Sequence, residues 1–198
     1  MYHSKIVAND TLVLFADLQS GIADLPLTIP YAHLQKGGLA LARLAQLFEL
    51  PTIVTAVAGQ DGSPPQIMPE IALGLNLSGL NERPTYLRTT ADSFLNEAIK
   101  TAIEATGRKT LLISGVATEL AVQLPALSGA DLGYRVFVIV DASGGTSQRT
   151  EEAAFRRMSQ AGASSVSIMT LAGELAGDFT EAIAQKSIGI LFEMVGGS

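Results

Sequence analysis

The chain has 198 residues, no cysteine and no tryptophan, with 47% hydrophobic and only 16% charged residues, enough apolar material for one buried core and too much for a disordered chain. A net charge of −6 and a pI near 4.9 argue against nucleic acid or an anionic membrane surface as partner. Mean hydropathy is positive at +0.32, yet no apolar run approaches the roughly 18 residues of a membrane span. No disulfide can form, and Met1-Tyr2-His3-Ser4-Lys5 leads straight into a strand-like segment without a signal peptide, so a cytoplasmic protein is expected.

Residues 11–17 are a continuous apolar run ending in a carboxylate, the pattern of a parallel strand covered on both faces. From Tyr31 the period changes: Tyr31, Leu34, Gly38, Leu41, Leu44, Ala45 and Phe48 predict an amphipathic helix stopped by Pro51. Thr52 to Val57 is the next strand. Residues 59–83, rich in Gly, Pro and Asn, read as a cover loop with a little helix from Met68 to Leu73, and a short strand follows Pro84. Helical spacing resumes at Phe94, Leu95, Ile99, Ala102 and Ile103. Lys109 to Ser114 is a strand, and Thr118 is a natural N-cap for the helix after it, which Pro125 should kink or split. Arg135 to Val140 is a strand ending at Asp141, residues 150–161 are helical, and Ser165 to Met169 is the last strand. The stretch from Asp178 to Met194 is largely helical. Six strands alternating with helices predict one three-layer α/β/α domain over residues 1–198, with a six-stranded parallel sheet and a C-terminal helical segment near 178–195.

Ligands of such sheets bind beyond the carboxyl ends of the strands, where strand order reverses. Three polar features fall at such ends: Asp17, the turn Gly115-Val116-Ala117-Thr118-Glu119, and Asp141. A carboxylate at the mouth of a buried strand is costly without a cation nearby, but an Asp there also caps turns, and position alone leaves the two readings even. Several motifs are missing. Asp17-Leu18-Gln19-Ser20-Gly21 stands where a dinucleotide fingerprint would, Gly107-Arg108-Lys109-Thr110 lacks the first glycine of a phosphate loop, and there is no Gly-x-Ser-x-Gly elbow. His3 and His33 are too few and too scattered for a zinc site or a Ser-His pair, so no metal and no cofactor is expected. Within Ile113 to Val122, Ala121 lies in the first helical turn, three residues after the expected cap. A thiol there would be acidified by the helix N-terminus, whereas alanine can do no acid–base or nucleophilic work.

Three segments together resemble the isochorismatase-like, or cysteine hydrolase, superfamily. Leu12-Val13-Leu14-Phe15-Ala16-Asp17-Leu18-Gln19 resembles its first strand with the catalytic Asp, and Arg88-Thr89-Thr90-Ala91-Asp92-Ser93-Phe94 its Lys-x-x-x-Ser-Ala-Phe segment, with Arg in place of Lys. Gly115-Val116-Ala117-Thr118-Glu119-Leu120-Ala121-Val122 resembles the Gly-Val-x-Thr-Asp/Glu-x-Cys-Val nucleophile turn, with Ala in place of Cys. Pro125-Ala126-Leu127-Ser128, Asp141-Ala142-Ser143-Gly144 and Arg157 to Ala163 are similar to the YcaC-like subgroup, and the resemblance spans about residues 8–175.

The resemblance implies a hydrolase of a small amide or related C–N substrate. Asp17 would take the thiol proton, Arg88 would pair with that Asp, and position 121 would carry the nucleophile. It further implies an oxyanion hole from the N–H groups of Ala117 and Ala121, a cis Val116–Ala117 peptide, and a pocket touched by Gln19, Thr55, Phe94 and Thr118. The partners it implies are a small-molecule substrate and further copies of the chain, as a tetramer or octamer. Ile188, Ile190, Leu191 and Phe192 in the C-terminal stretch read either as interface material or as packing within the monomer. Arg keeps the charge of Lys but not its point geometry. Ala121 removes the nucleophile, which leaves three readings open: an engineered knockout of a cysteine hydrolase, a natural Cys-less member hydrolysing a vinyl ether with Asp17 as general acid, or a non-catalytic binding or assembly protein.

Overall fold

The computed structural model describes residues 5–59, 61–76 and 85–196. Its centre is one sheet of six parallel strands in the order β3-β2-β1-β4-β5-β6. The strands are β1 (Thr11–Ala16), β2 (Thr52–Ala56), β3 (Thr85–Leu87), β4 (Thr110–Gly115), β5 (Arg135–Ile139) and β6 (Ser164–Val166). β1 and β4 are buried at every position, as their apolar runs require of central strands covered on both sides. The edge strands β3 and β6 are three residues each and partly exposed, which limits the unpaired backbone they offer to other chains.

Alternate strand residues feed two separate apolar clusters. Val13, Phe15, Val54, Leu112 and Phe137 pack with α1 (Tyr31–Leu47), α2 (Pro69–Gly74) and α6 (Ile168–Ala176) on one face. Leu12, Leu14, Ile53, Leu111, Ile113 and Val136 pack on the other with α3 (Glu97–Ala105), α4 (Gln123–Asp131) and α5 (Gln148–Gln160). The result is a three-layer α/β/α architecture with a six-stranded parallel sheet. The final helix, α7 (Ala182–Val195), lies against α1 and α6.

Several local expectations are corrected. The helix expected from Phe94 begins only at Glu97, because Asn96 accepts hydrogen bonds from the Ala98 and Ile99 N–H groups and caps it there; Ser93–Leu95 forms a separate 3-10 turn. Pro125 does not split a long helix. It falls in the first turn of α4, where its missing N–H is tolerated, and a π-helical turn over Thr118–Val122 precedes it. The last strand stops at Val166 rather than Met169. There Ser167 accepts a hydrogen bond from the Thr170 N–H and starts α6, a helix the strand-like alternation of 165–169 concealed. Of the cover loop, residues 61–76 are described and residues 60 and 77–83 lie outside the described residues. Its described part is tied to the end of β1: the Ser20 N–H donates to Gln66 O at 2.8 Å and the Met68 N–H to Leu18 O at 2.9 Å.

Candidate active site

Strand order reverses at β1, which has β2 on one side and β4 on the other, so the crevice opens beyond Ala16 and Gly115, which face each other in register. The two strands approach so closely that a Cβ on Gly115 would lie 2.1 Å from the Ala16 carbonyl oxygen; only glycine fits.

Asp17 is the first residue past β1. Its φ of +55° is a left-handed conformation that Asp tolerates better than most residues, and its N–H donates to Thr55 O at 3.1 Å. The residue is 1% exposed, and its side chain is held by Arg88, a residue itself 8% exposed. Arg88 Nε donates to both carboxylate oxygens at 3.0 Å, Nη2 donates to Oδ2, and Nη1 donates to Thr90 O at 2.6 Å. The Arg88 backbone is anchored too, its N–H donating to Ala56 O at 2.9 Å at the carboxyl end of β2. A buried charge pair of this kind costs desolvation and is repaid only by good geometry, so the guanidinium fork matters more than the charge alone.

Of the expected pocket residues, Gln19 spends both ends of its amide on one backbone unit: Nε2 donates to Val57 O and Oε1 accepts from the Val57 N–H, each at 2.9 Å. That clamp fixes the exit from β2 and sets the orientation of the amide, leaving one Nε2 hydrogen uncommitted to it. Phe94 belongs to the second apolar cluster, its ring 5.8 Å from that of Tyr134, while its N–H donates to Asp92. Thr55 Oγ1 and the neighbouring Ser93 Oγ are buried hydroxyls with no hydrogen-bond partner among the described residues.

The opposite wall starts at the end of β4. The Val116–Ala117 peptide is cis although no proline follows. Segment 142–145 braces this turn: Ser114 Oγ donates to Ala142 O at 2.7 Å, the Gly115 N–H to Ser143 Oγ at 3.2 Å, and the Thr118 N–H to Gly144 O at 2.9 Å. Thr118 is not the N-cap its sequence position promised. No cap bond forms, and its Oγ1 instead donates to Glu151 Oε1 at 2.8 Å, a partner 33 residues away. The adjacent Glu119 was not singled out as a bracing residue from the sequence, yet its Oε1 accepts from the Thr146 N–H at 2.9 Å, Thr150 Oγ1 at 3.0 Å and Thr146 Oγ1. Burial raises the Glu119 carboxyl, but these hydrogen bonds outweigh it and hold it below its ordinary value.

Ala121 is 1% exposed and belongs to neither apolar cluster. Its N–H is already engaged, donating to Ala117 O at 2.9 Å, and the Leu120 N–H shares that acceptor at 3.0 Å. Of the two N–H groups expected to form an oxyanion hole, that of Ala121 is thus engaged, and that of Ala117 has no acceptor among the described residues. Asp141, the other strand-end carboxylate, does not join this site. It accepts from the Ile168 N–H with both oxygens, at 2.9 and 3.1 Å, and caps α6. His33 also lies elsewhere, beside Lys36 and Asp141, and no cluster of His, Cys, Asp or Glu among the described residues could hold a metal ion.

Comparison with known proteins agrees with this architecture. The isochorismatase domain matches residues 11–169. The probable hydrolase YcaC of Escherichia coli K12 is 37% identical over 175 residues, 88% of this chain and 82% of that protein. The crystal structure of Escherichia coli YcaC, described as an octameric hydrolase of unknown specificity, superposes with a TM-score of 0.84 at 36% identity, covering 96% of this chain and 90% of that one. YcaC from Pseudomonas aeruginosa, solved with hexane-2,5-diol and covalent acrylamide, gives 0.86 at 31% identity over 98% and 93% of the two chains. A matched domain over most of the chain, with this identity and this superposition, places the protein in the isochorismatase family of hydrolases, among its YcaC-like members.

Proposed function

We propose that the crevice between Asp17, Arg88 and Ala121 is the site of a cysteine-hydrolase-type enzyme for a small amide or related C–N substrate, lacking its nucleophile in this chain. The observation that carries this reading is the buried Asp17–Arg88 pair set at the point where strand order reverses, beside β4, whose following turn carries the buried small side chain of Ala121. With a thiol at position 121, Asp17 would take its proton, the sulfur would attack the substrate carbonyl, and the proton would pass to the departing amine. Water would then release the acyl group. The Ala117 N–H, without an acceptor among the described residues, is the donor available to the developing oxyanion, and Thr55 Oγ1 is a pocket donor likewise without a partner among them. Gln19, Phe94 and Thr118 serve as framework, holding respectively the end of β2, the apolar wall and the nucleophile turn.

The acid-catalysed alternative would instead use Asp17, held by Arg88 through both oxygens, as the proton donor to a vinyl ether, with no thiol involved. With alanine at position 121 the covalent route is closed, so the chain as it stands should show no amide hydrolysis by that route. Restoring the thiol with Ala121→Cys and assaying small amides, nicotinamide among them, tests the reading: it predicts hydrolysis where the parent has none. Absence of both hydrolysis and thiol reactivity rejects the knockout reading in favour of a non-catalytic protein. By analogy with the octameric relative, we also assign this chain a homo-oligomeric state.

A further inference from the structure

Helix α7 is apolar on more of its circumference than one neighbour can cover. Its inner face, with Ala184 and Ser187 buried and Ile190, Leu191 and Met194 partly so, packs against α1, α6 and the first apolar cluster. Its outer stripe runs Ile188, Leu191, Phe192 and Val195, at helical spacings of three, one and three residues, and meets Met169 of α6. These five side chains line an apolar groove of about 190 Å³ that no charged side chain enters. Phe192 is 73% exposed, Val195 63% and Met169 54%. The nearest charge on the helix, Glu193, turns away to pair with Arg43 of α1. A helix that is apolar on both faces is stable as an outer element only when something covers the second face.

We infer that this stripe of α7 with Met169 is a self-association surface and that its occupant is the same stripe on a second copy of the chain, related by a two-fold axis. Two observations favour a second copy. A protruding aromatic and an apolar groove lie side by side on one patch, which a two-fold contact needs so that each copy inserts its knob into the other's groove. The structural relative matching 96% of this chain is an octameric hydrolase, and the inference rests on the homo-oligomeric reading drawn from it.

The test is molar mass by light scattering during gel filtration, on the full chain and on Phe192→Glu, Val195→Asp and Phe192→Leu. The wild type is expected well above the 20.7 kDa of one chain, both charged variants are expected to fall at least twofold in mass, and Phe192→Leu is expected to hold the wild-type mass. Circular dichroism and the thermal midpoint are read on each variant. Unchanged mass in both folded charged variants overturns the assignment of this face and leaves self-association standing. A wild type that runs as a 20.7 kDa monomer overturns the self-association reading itself. Charged variants that fail to fold would put these side chains in the monomer's own core, which also overturns the assignment.

Discussion

Asp17 and Asp141 are the same device in sequence, a carboxylate just past a buried parallel strand, and the fold puts them to opposite uses. Asp17 faces the reversal of strand order and meets a guanidinium that grips both its oxygens. Asp141 lies two strands away from β1, beyond β5, meets no cation partner among the described residues, and spends both oxygens on the Ile168 N–H at the start of α6. Burial pushes the Asp141 carboxyl above its ordinary value, against the lowering pull of the Ile168 N–H. A strand-end carboxylate becomes a candidate for chemistry through what the rest of the chain brings to it; at Asp141 that is a helix end, and at Asp17 it is a buried cation from a strand 71 residues away.

The comparison is broken most forcefully at Arg88. Arg88→Met strips the cation from a buried carboxylate and should cost about 3–5 kcal/mol, read by urea unfolding, whereas adding Asp17→Asn to it should recover much of that loss. A single-variant cost under about 1 kcal/mol would mean that the pair is solvated and the crevice is not the dry site described. The next effect belongs to Asp141. Asp141→Ala leaves the Ser167 cap in place but removes the acceptor of the first N–H of α6, and should cost about 1 kcal/mol, with native circular dichroism retained.

Asp141→Asn gives the third effect, and it lies in pH dependence. Because the folded state holds the Asp141 proton more tightly than the unfolded chain does, its contribution to stability is full at low pH. That contribution is lost as pH rises from the ordinary carboxylate value through the raised one. Asn keeps an acceptor for the Ile168 N–H without titrating. Its stability relative to the parent should therefore improve from pH 4 to pH 7. A difference that is flat or moves the other way would contradict the burial assigned to Asp141. The smallest effect is Thr118→Val, which removes the bond to Glu151 and should cost about 0.5–1.5 kcal/mol in thermal or urea unfolding.

What the sequence disclosed follows from how local each signal is. β1 and β4 were readable because strands buried on both faces must be apolar throughout. α6 was not: Ser165 to Met169 alternates like a strand, and the tie that makes Ile168 a helix start comes from Asp141, 27 residues earlier. Thr118 failed as a cap for the same reason, since Glu151 outbids the local backbone from a distant helix. Arg88 carries no periodic or spacing signal of its own beside a three-residue edge strand, and only the family pattern singled it out. The engagement of the Ala121 N–H was invisible as well, because it depends on the turn after β4 tying that N–H back to the Ala117 carbonyl four residues earlier.

The absence of cysteine makes the decisive measurement clean, for a thiol introduced at position 121 is the only one in the chain. The measurement is the pH dependence of alkylation of Ala121→Cys by iodoacetamide, followed by mass spectrometry. A crevice with a proton acceptor in Asp17 and a helix start under the sulfur predicts a rate that has levelled off below about pH 7.5, the thiolate being already formed. A rate still climbing tenfold per pH unit through about pH 8, as for an ordinary thiol, would contradict the account.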